Sequence, residues 1–202
     1  MIKRPAVGTI AGQRQHKGGF TLIEMMIVIA IIGISASLAV PNLILWFDNL
    51  SVKSAARDLY SAMQEVRTIA VRQNASAAIV FDTANNRYYI CSGQGPDNAW
   101  GGTGDMTGTG DNVIERRVTL LSSAYKNRVQ FGNGNATTPV GATFGDFITY
   151  TSPNNVLVVN SSGIGNAGYV YLTNPNNGKA YAVGTLSSGL VKLLKWNGTT
   201  WQ

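Results

Sequence analysis

Two features near the start of the chain could take part in chemistry. Gly18-Gly19 precede Phe20, and Glu24 follows four positions later. Glu24 is also the last charged side chain before a run of 23 residues, Met25 to Phe47, that carries none. Small residues beside a peptide bond suit a peptidase, and hydrolysis after Gly19 would leave a free α-amino group on Phe20. In a secretory signal the apolar segment lies before the cleavage site and is discarded. Here it lies after the site and would be kept. Glu24 would then enter the membrane with it, at a cost of up to about 2.5–3.5 kcal/mol for an acid carried deep into the bilayer. Such a carboxylate needs a cation, and the nearest candidate is the new ammonium of Phe20 on a neighbouring copy.

Other candidate chemistry is sparse. His16 is the only histidine and would leave with the leader, so no imidazole remains to activate Cys91 or a serine. The carboxylates beyond Glu24 are scattered, which argues against acid–base catalysis and against an enzyme. Gly163-Ile164-Gly165-Asn166-Ala167-Gly168 fits the dinucleotide fingerprint, but Tyr169 to Thr173 reads as a strand where a helix N-terminus is required. It is read as a turn. Asp97, Asp105 and Asp111 lie in a Gly- and Thr-rich stretch, Ser92 to Asn112, whose spacing matches no calcium loop. Neither metal nor cofactor is expected. Cys91 is the only cysteine, so no internal disulfide can form, and a buried thiol is expected.

The elements that hold these residues follow from hydropathy. The uncharged run is about 35 Å long as a helix, enough to cross a hydrocarbon core of about 30 Å. Lys3, Arg4, Arg14 and Lys17 precede it with no acid among them, which places the leader in the cytoplasm and the bulk of the chain across the membrane. The whole chain has net charge +6. Without those four cations, 12 basic and 10 acidic side chains remain, a net of only +2. General polyanion binding is therefore not implied.

From Val52 to Ala70, apolar residues recur at three- and four-residue spacing with Lys53, Arg57, Asp58, Glu65 and Arg72 between or just beyond them. This predicts an amphipathic helix, continuous with the apolar one and ending near Asn74. Pro41 removes one backbone hydrogen bond and is expected to bend the rod. Strands are expected at 77–81, 87–91, 113–121, 128–131, 144–150, 156–160, 169–173, 179–186 and 190–196, with turns at 83–86, 175–178 and 187–189. The expected fold is α+β: one long N-terminal helix packed on an antiparallel β domain. The stretch 92–112 is expected to be a surface loop.

Lys17-Gly18-Gly19-Phe20-Thr21-Leu22-Ile23-Glu24 resembles the type III signal of type IV pilins and pseudopilins. The resemblance implies a leader, residues 1–19, removed by a prepilin peptidase before Phe20, which becomes N-methylated. It implies a membrane and filament-core helix at 20–47, with Glu24 the assembly acid and Pro41 the helix bend. An amphipathic helix at 48–75 and a periplasmic β domain at 76–202 complete the pilin-like plan. Other pilins or pseudopilins and an inner-membrane assembly platform are the implied partners.

Ala62 to Arg67, Ala78 to Phe81, Tyr169 to Asn174 and Ser187 to Lys192 are further similar to H-type minor pseudopilins of type II secretion and to FimT/FimU minor pilins. Two functions stay open. One is a subunit near the tip of a periplasmic pseudopilus that supports protein export. The other is a minor pilin that captures DNA for uptake. DNA-binding members carry Gly-Arg-x-Arg, whereas this chain has Gly189-Leu190-Val191-Lys192. Lys179, Lys192, Lys195 and Trp196 remain as candidate DNA or partner contacts. Three lysines neutralise few phosphates, so the export reading is preferred.

Overall fold

The computed structural model describes residues 19–101, 112–141 and 143–202, without the side chains of Pro41, Asn42, Ile44, Leu45 and Asp48. The leader before Gly19, and Asp105, Met106 and Asp111 of the Gly-rich stretch, lie outside the described residues. Two compact units are divided between Asn42 and Leu43.

In the first unit, helix α1 (Leu22–Gln73) begins. Thr21 caps it, its hydroxyl oxygen accepting the Glu24 backbone N–H at 3.2 Å. Every side chain from Leu22 to Val40 is exposed. This stretch is long and apolar enough to cross a membrane.

In the second unit α1 continues as an amphipathic helix. Val52, Ala55, Ala56, Leu59, Ala62, Met63, Val66 and Ala70 are buried on one stripe. Four of these eight are alanines, which lets the helix approach the sheets closely. The helix stops at Gln73 because Asn74 turns left-handed (φ 52°) and the Ala75 N–H bonds back to the Ala70 carbonyl.

Two antiparallel sheets receive the stripe. The first has the order β3 (Val113–Thr119), β2 (Arg87–Gly93), β1 (Ala77–Asp82), β5 (Val156–Val159). The second has the order β4 (Gln130–Phe131), β6 (Gly168–Thr173), β7 (Ala180–Thr185), β8 (Val191–Lys195). Alternation along β1 explains its continuous burial. Ile79 and Phe81 join the main core with α1, while Ala78 and Val80 meet Tyr89, Cys91 and Val156 on the other face. Trp100, at the described edge of the Gly-rich stretch, is partly buried and packs on that outer cluster.

Most expected strands are present, with two differences. Residues 144–150 form no strand; only an isolated bridge joins Ile148 to Val170. Gly145 (φ 56°) and Phe147 (φ 73°) turn the backbone left-handed, which a strand does not allow. The apolar residues there serve packing instead: Ile148 and Tyr150 enter the main core. The stretch 128–131 shortens to two paired residues, and a short 3-10 turn at Ser123–Tyr125 precedes it.

The β1–β2 hairpin turn is held by Asp82. Its carboxylate accepts from the Asn85 N–H at 3.1 Å, from Asn85 Nδ2 at 2.8 Å and from Arg87 Nε at 2.8 Å. Partial burial opposes ionisation, but these hydrogen bonds prevail and hold the carboxyl below its ordinary value.

Candidate functional site

The residues expected to flank the cleavage site, Gly19 and Phe20, are both exposed. Gly19 and Phe20 precede the helix, and Phe20 is 75% exposed. Glu24 lies in the first turn of α1 with its side chain exposed. A carboxylate near a helix N-terminus gains about 0.3–1 kcal/mol from the aligned peptide dipoles. That is well short of the cost of carrying it deep into a bilayer. Its place in the first turn therefore does not remove the need for a cation. Thr21 was missed as a functional residue, although Thr21-Leu22-Ile23-Glu24 has the spacing of a capping box. Pro41 lies within the span of α1.

The glycine-rich segment leads into β6, not into a helix, and serves packing. A Cβ on Gly163 (φ 75°) would come within 2.9 Å of Arg67 Nε. One on Gly168 would lie 2.5 Å from the Tyr150 ring. Among the described residues no His, Cys, Asp and Glu group could hold a metal. Cys91 is a free, buried thiol in β2, and burial with nearby Glu115 pushes it up to about 12. It is therefore an inert core residue at neutral pH.

The C-terminal candidates are divided by the pleat of β8. Val191 belongs to the main core and Leu193 packs on it, so Lys195 shares their face. Lys192 points the other way, with Trp196. Trp196 is only 5% exposed and packs with Ala136 and Ala180 beneath Phe144 and Trp201. Its ring centroid is 5.4 Å from that of Trp201, whose indole N–H donates to the Thr138 carbonyl at 2.7 Å. Trp196 is thus a packing residue with no open face for stacking, because the second sheet needs a cover on the side away from the helix.

Lys195 instead joins Lys179, and with them Lys53 of the helix, around a groove of about 240 Å³. Trp46, Asn49, Leu50 and Tyr181 complete its lining. Asn49 fixes one rim by accepting from Asn177 Nδ2 at 3.2 Å. Sequence reading found Lys179 and Lys195 but missed Lys53 and Trp46, since only β7–β8 pairing of Tyr181 with Lys195 and helix docking bring them together.

The helix thus has an unburied apolar start with an acid in its first turn, and a core-packed continuation ahead of antiparallel sheets. Residues 14–40 match the prokaryotic N-terminal methylation motif, and residues 55–189 match the model of the type II transport protein GspH. The chain belongs to this GspH family.

A type II secretion system core protein G of Klebsiella michiganensis is 33% identical over 115 residues, spanning 50% of this chain and 80% of that protein. Another from Aeromonas hydrophila is 61% identical over 31 residues, only 22% of its length. Among solved structures, the minor pseudopilin EpsH of the Vibrio cholerae type 2 secretion system aligns at TM-score 0.44 and 17% identity, over 72% of this chain and 97% of that one. The type IV minor pilin FimU of Pseudomonas aeruginosa aligns at TM-score 0.46 and 11% identity, over 78% and 96%.

Proposed function

We propose that the chain is an H-type minor pseudopilin of a type II secretion system. It is cut between Gly19 and Phe20 by a prepilin peptidase and methylated on the new terminus. It is held in the inner membrane with its N-terminus cytoplasmic and its β domain periplasmic, and it is then placed near the pseudopilus tip, where it supports protein export. It acts as a structural subunit and not as a catalyst. Its neighbours are other pseudopilins, met through the N-terminal helix, together with the membrane assembly platform.

One observation carries this reading: a GspH-family β domain follows an apolar helix whose first turn holds an acid. Glu24 paired with a neighbour's Phe20 ammonium draws the apolar helix from lipid into a helical core without an unpaired charge. The family match over 55–189 spans most of the β domain, which favours the H type over the G type named in the two relatives.

In native cells, Glu24→Ala should be processed normally, with an N-terminal mass beginning at methylated Phe20. It should incorporate into the filament far less than wild type. Normal incorporation of that variant, or recovery of a chain still beginning at Met1, overturns the reading.

The DNA-capture alternative loses support. Lys192 and Lys195 project from opposite faces of β8, and Trp196 is covered.

A further inference from the structure

Lys53, Lys179 and Lys195 converge on one groove although they come from the helix, the residue just before β7 and the end of β8. All three side chains are exposed, and among the described residues no carboxylate lines the groove. Three like charges around one concavity make it electropositive and attractive to an anion. Trp46, 55% exposed, and Leu50 give one wall an apolar surface. A groove that is cationic on one side and apolar on the other matches a ligand that is anionic at one end and apolar at the other.

Trp46 and Phe47 follow Val40, the last residue of the apolar span, by six and seven positions. Trp is among the residues enriched at membrane–water interfaces, where its ring settles at the headgroup level. Lys126 adds a further cation, its Nζ 3.9 Å over the Phe47 ring.

We infer that the groove between Lys53, Lys179 and Lys195 binds the phosphate headgroup of an anionic phospholipid, with Trp46 against the glycerol and upper acyl chain. The lysines act as point charges on the phosphate oxygens, and basic residues near an anionic membrane surface add to the attraction. The inference rests on the membrane-held stage proposed above. At that stage it would fix the β domain on the lipid surface until assembly withdraws the helix. The groove, about 240 Å³, is large enough for a phosphate with part of its glycerol.

The test uses the full-length chain in detergent micelles, titrated with dioleoylphosphatidylglycerol or dioleoylphosphatidylcholine, with bound lipid counted by native mass spectrometry. One phosphatidylglycerol should be retained at concentrations about tenfold or more below those needed for phosphatidylcholine. The triple variant Lys53→Gln, Lys179→Gln, Lys195→Gln should lose that preference. Lys192→Gln, on the opposite face of β8, should keep it. Matched circular dichroism and thermal melting establish that the variants fold.

Equal retention of the two lipids overturns the inference, as does a preference that survives the triple variant. Displacement of the lipid by inorganic phosphate at matching concentration overturns it in favour of a free-anion site. Displacement by a short DNA duplex overturns it in favour of nucleic-acid binding. Because the readout is lipid binding by the isolated chain, failure here leaves filament incorporation untouched, and failure of the Glu24→Ala experiment leaves lipid binding untouched.

Discussion

Two stretches of α1 use nearly the same side chains and have opposite surroundings. Between Val52 and Ala70 the apolar residues form a stripe, and each is packed against the sheets. Between Leu22 and Val40 they cover every side, and none is buried. Twelve large apolar side chains are exposed in that first stretch. Burying each would stabilise by roughly 1.5–3 kcal/mol, on the order of 20 kcal/mol in all. The second stretch finds its partner within the chain, whereas the first must find it in lipid or in other subunits. The comparison teaches that a helix apolar all round and one with an apolar stripe announce different solvents, even when they are continuous.

The strongest way to break this comparison is a cavity in the buried stretch. Leu59 is fully buried against both sheets, so Leu59→Ala should lower unfolding stability by about 2–5 kcal/mol in a urea titration. Ile29→Ala, in the exposed stretch, should leave the same transition unmoved. Equal losses would show that the first stretch also packs on the domain.

The reverse experiment tests the other solvent. Ile29→Lys should cost about 2.5–3.5 kcal/mol of membrane integration, read from the fraction resisting carbonate extraction. The β domain's melting temperature should not change. A smaller effect is expected at the helix start. Thr21→Ala removes the cap on the Glu24 N–H, worth about 0.5–2 kcal/mol, and should speed hydrogen exchange at that amide.

The smallest effect belongs to the β1–β2 turn. The Asp82 carboxyl is held below its ordinary value of 3.8 in the folded chain. Its contribution is therefore complete above that value and is lost as pH falls through the lower folded one. Asp82→Asn should flatten the acid limb of a stability–pH curve, lowering stability slightly at pH 7 and converging on the unsubstituted chain as pH falls. A steeper limb in the variant would reverse the assigned sign.

Much of the fold was legible because its signals are local. The stripe, the Asn74 stop, the β1–β2 hairpin and the turn at Pro175–Gly178 follow from spacing and turn residues within a few positions. The stretch 144–150 misled for the same reason. Phe144, Ile148 and Tyr150 have the composition of a strand and are packed as core or at its edge, while Gly145 and Phe147 turn the backbone between them. Burial and strand conformation are separate properties, and alternating composition reports mainly the first.

The candidate site divides along the same line. The proposed roles of Gly19, Phe20 and Glu24 rest on the order of residues alone, since cleavage and charge pairing at a helix start depend on neighbours along the chain. Trp196 could not, because its cover comes from Ala136, Ala180 and Trp201 across two strands and a loop.

By itself the sequence determined that a basic stretch precedes an apolar helix bearing one acid, and that an amphipathic continuation leads into antiparallel strands. These properties belong to neighbours along the chain, where side-chain period and charge act over a few ångströms. Only the tertiary structure decided that Lys53 joins Lys179 and Lys195 while Lys192 faces away, and that β1 is covered on both sides. Strand register and helix docking set which faces meet: the β7–β8 register brings Lys195 opposite Tyr181, and the docked helix meets the turn before β7 through the Asn49–Asn177 hydrogen bond, between residues 128 positions apart.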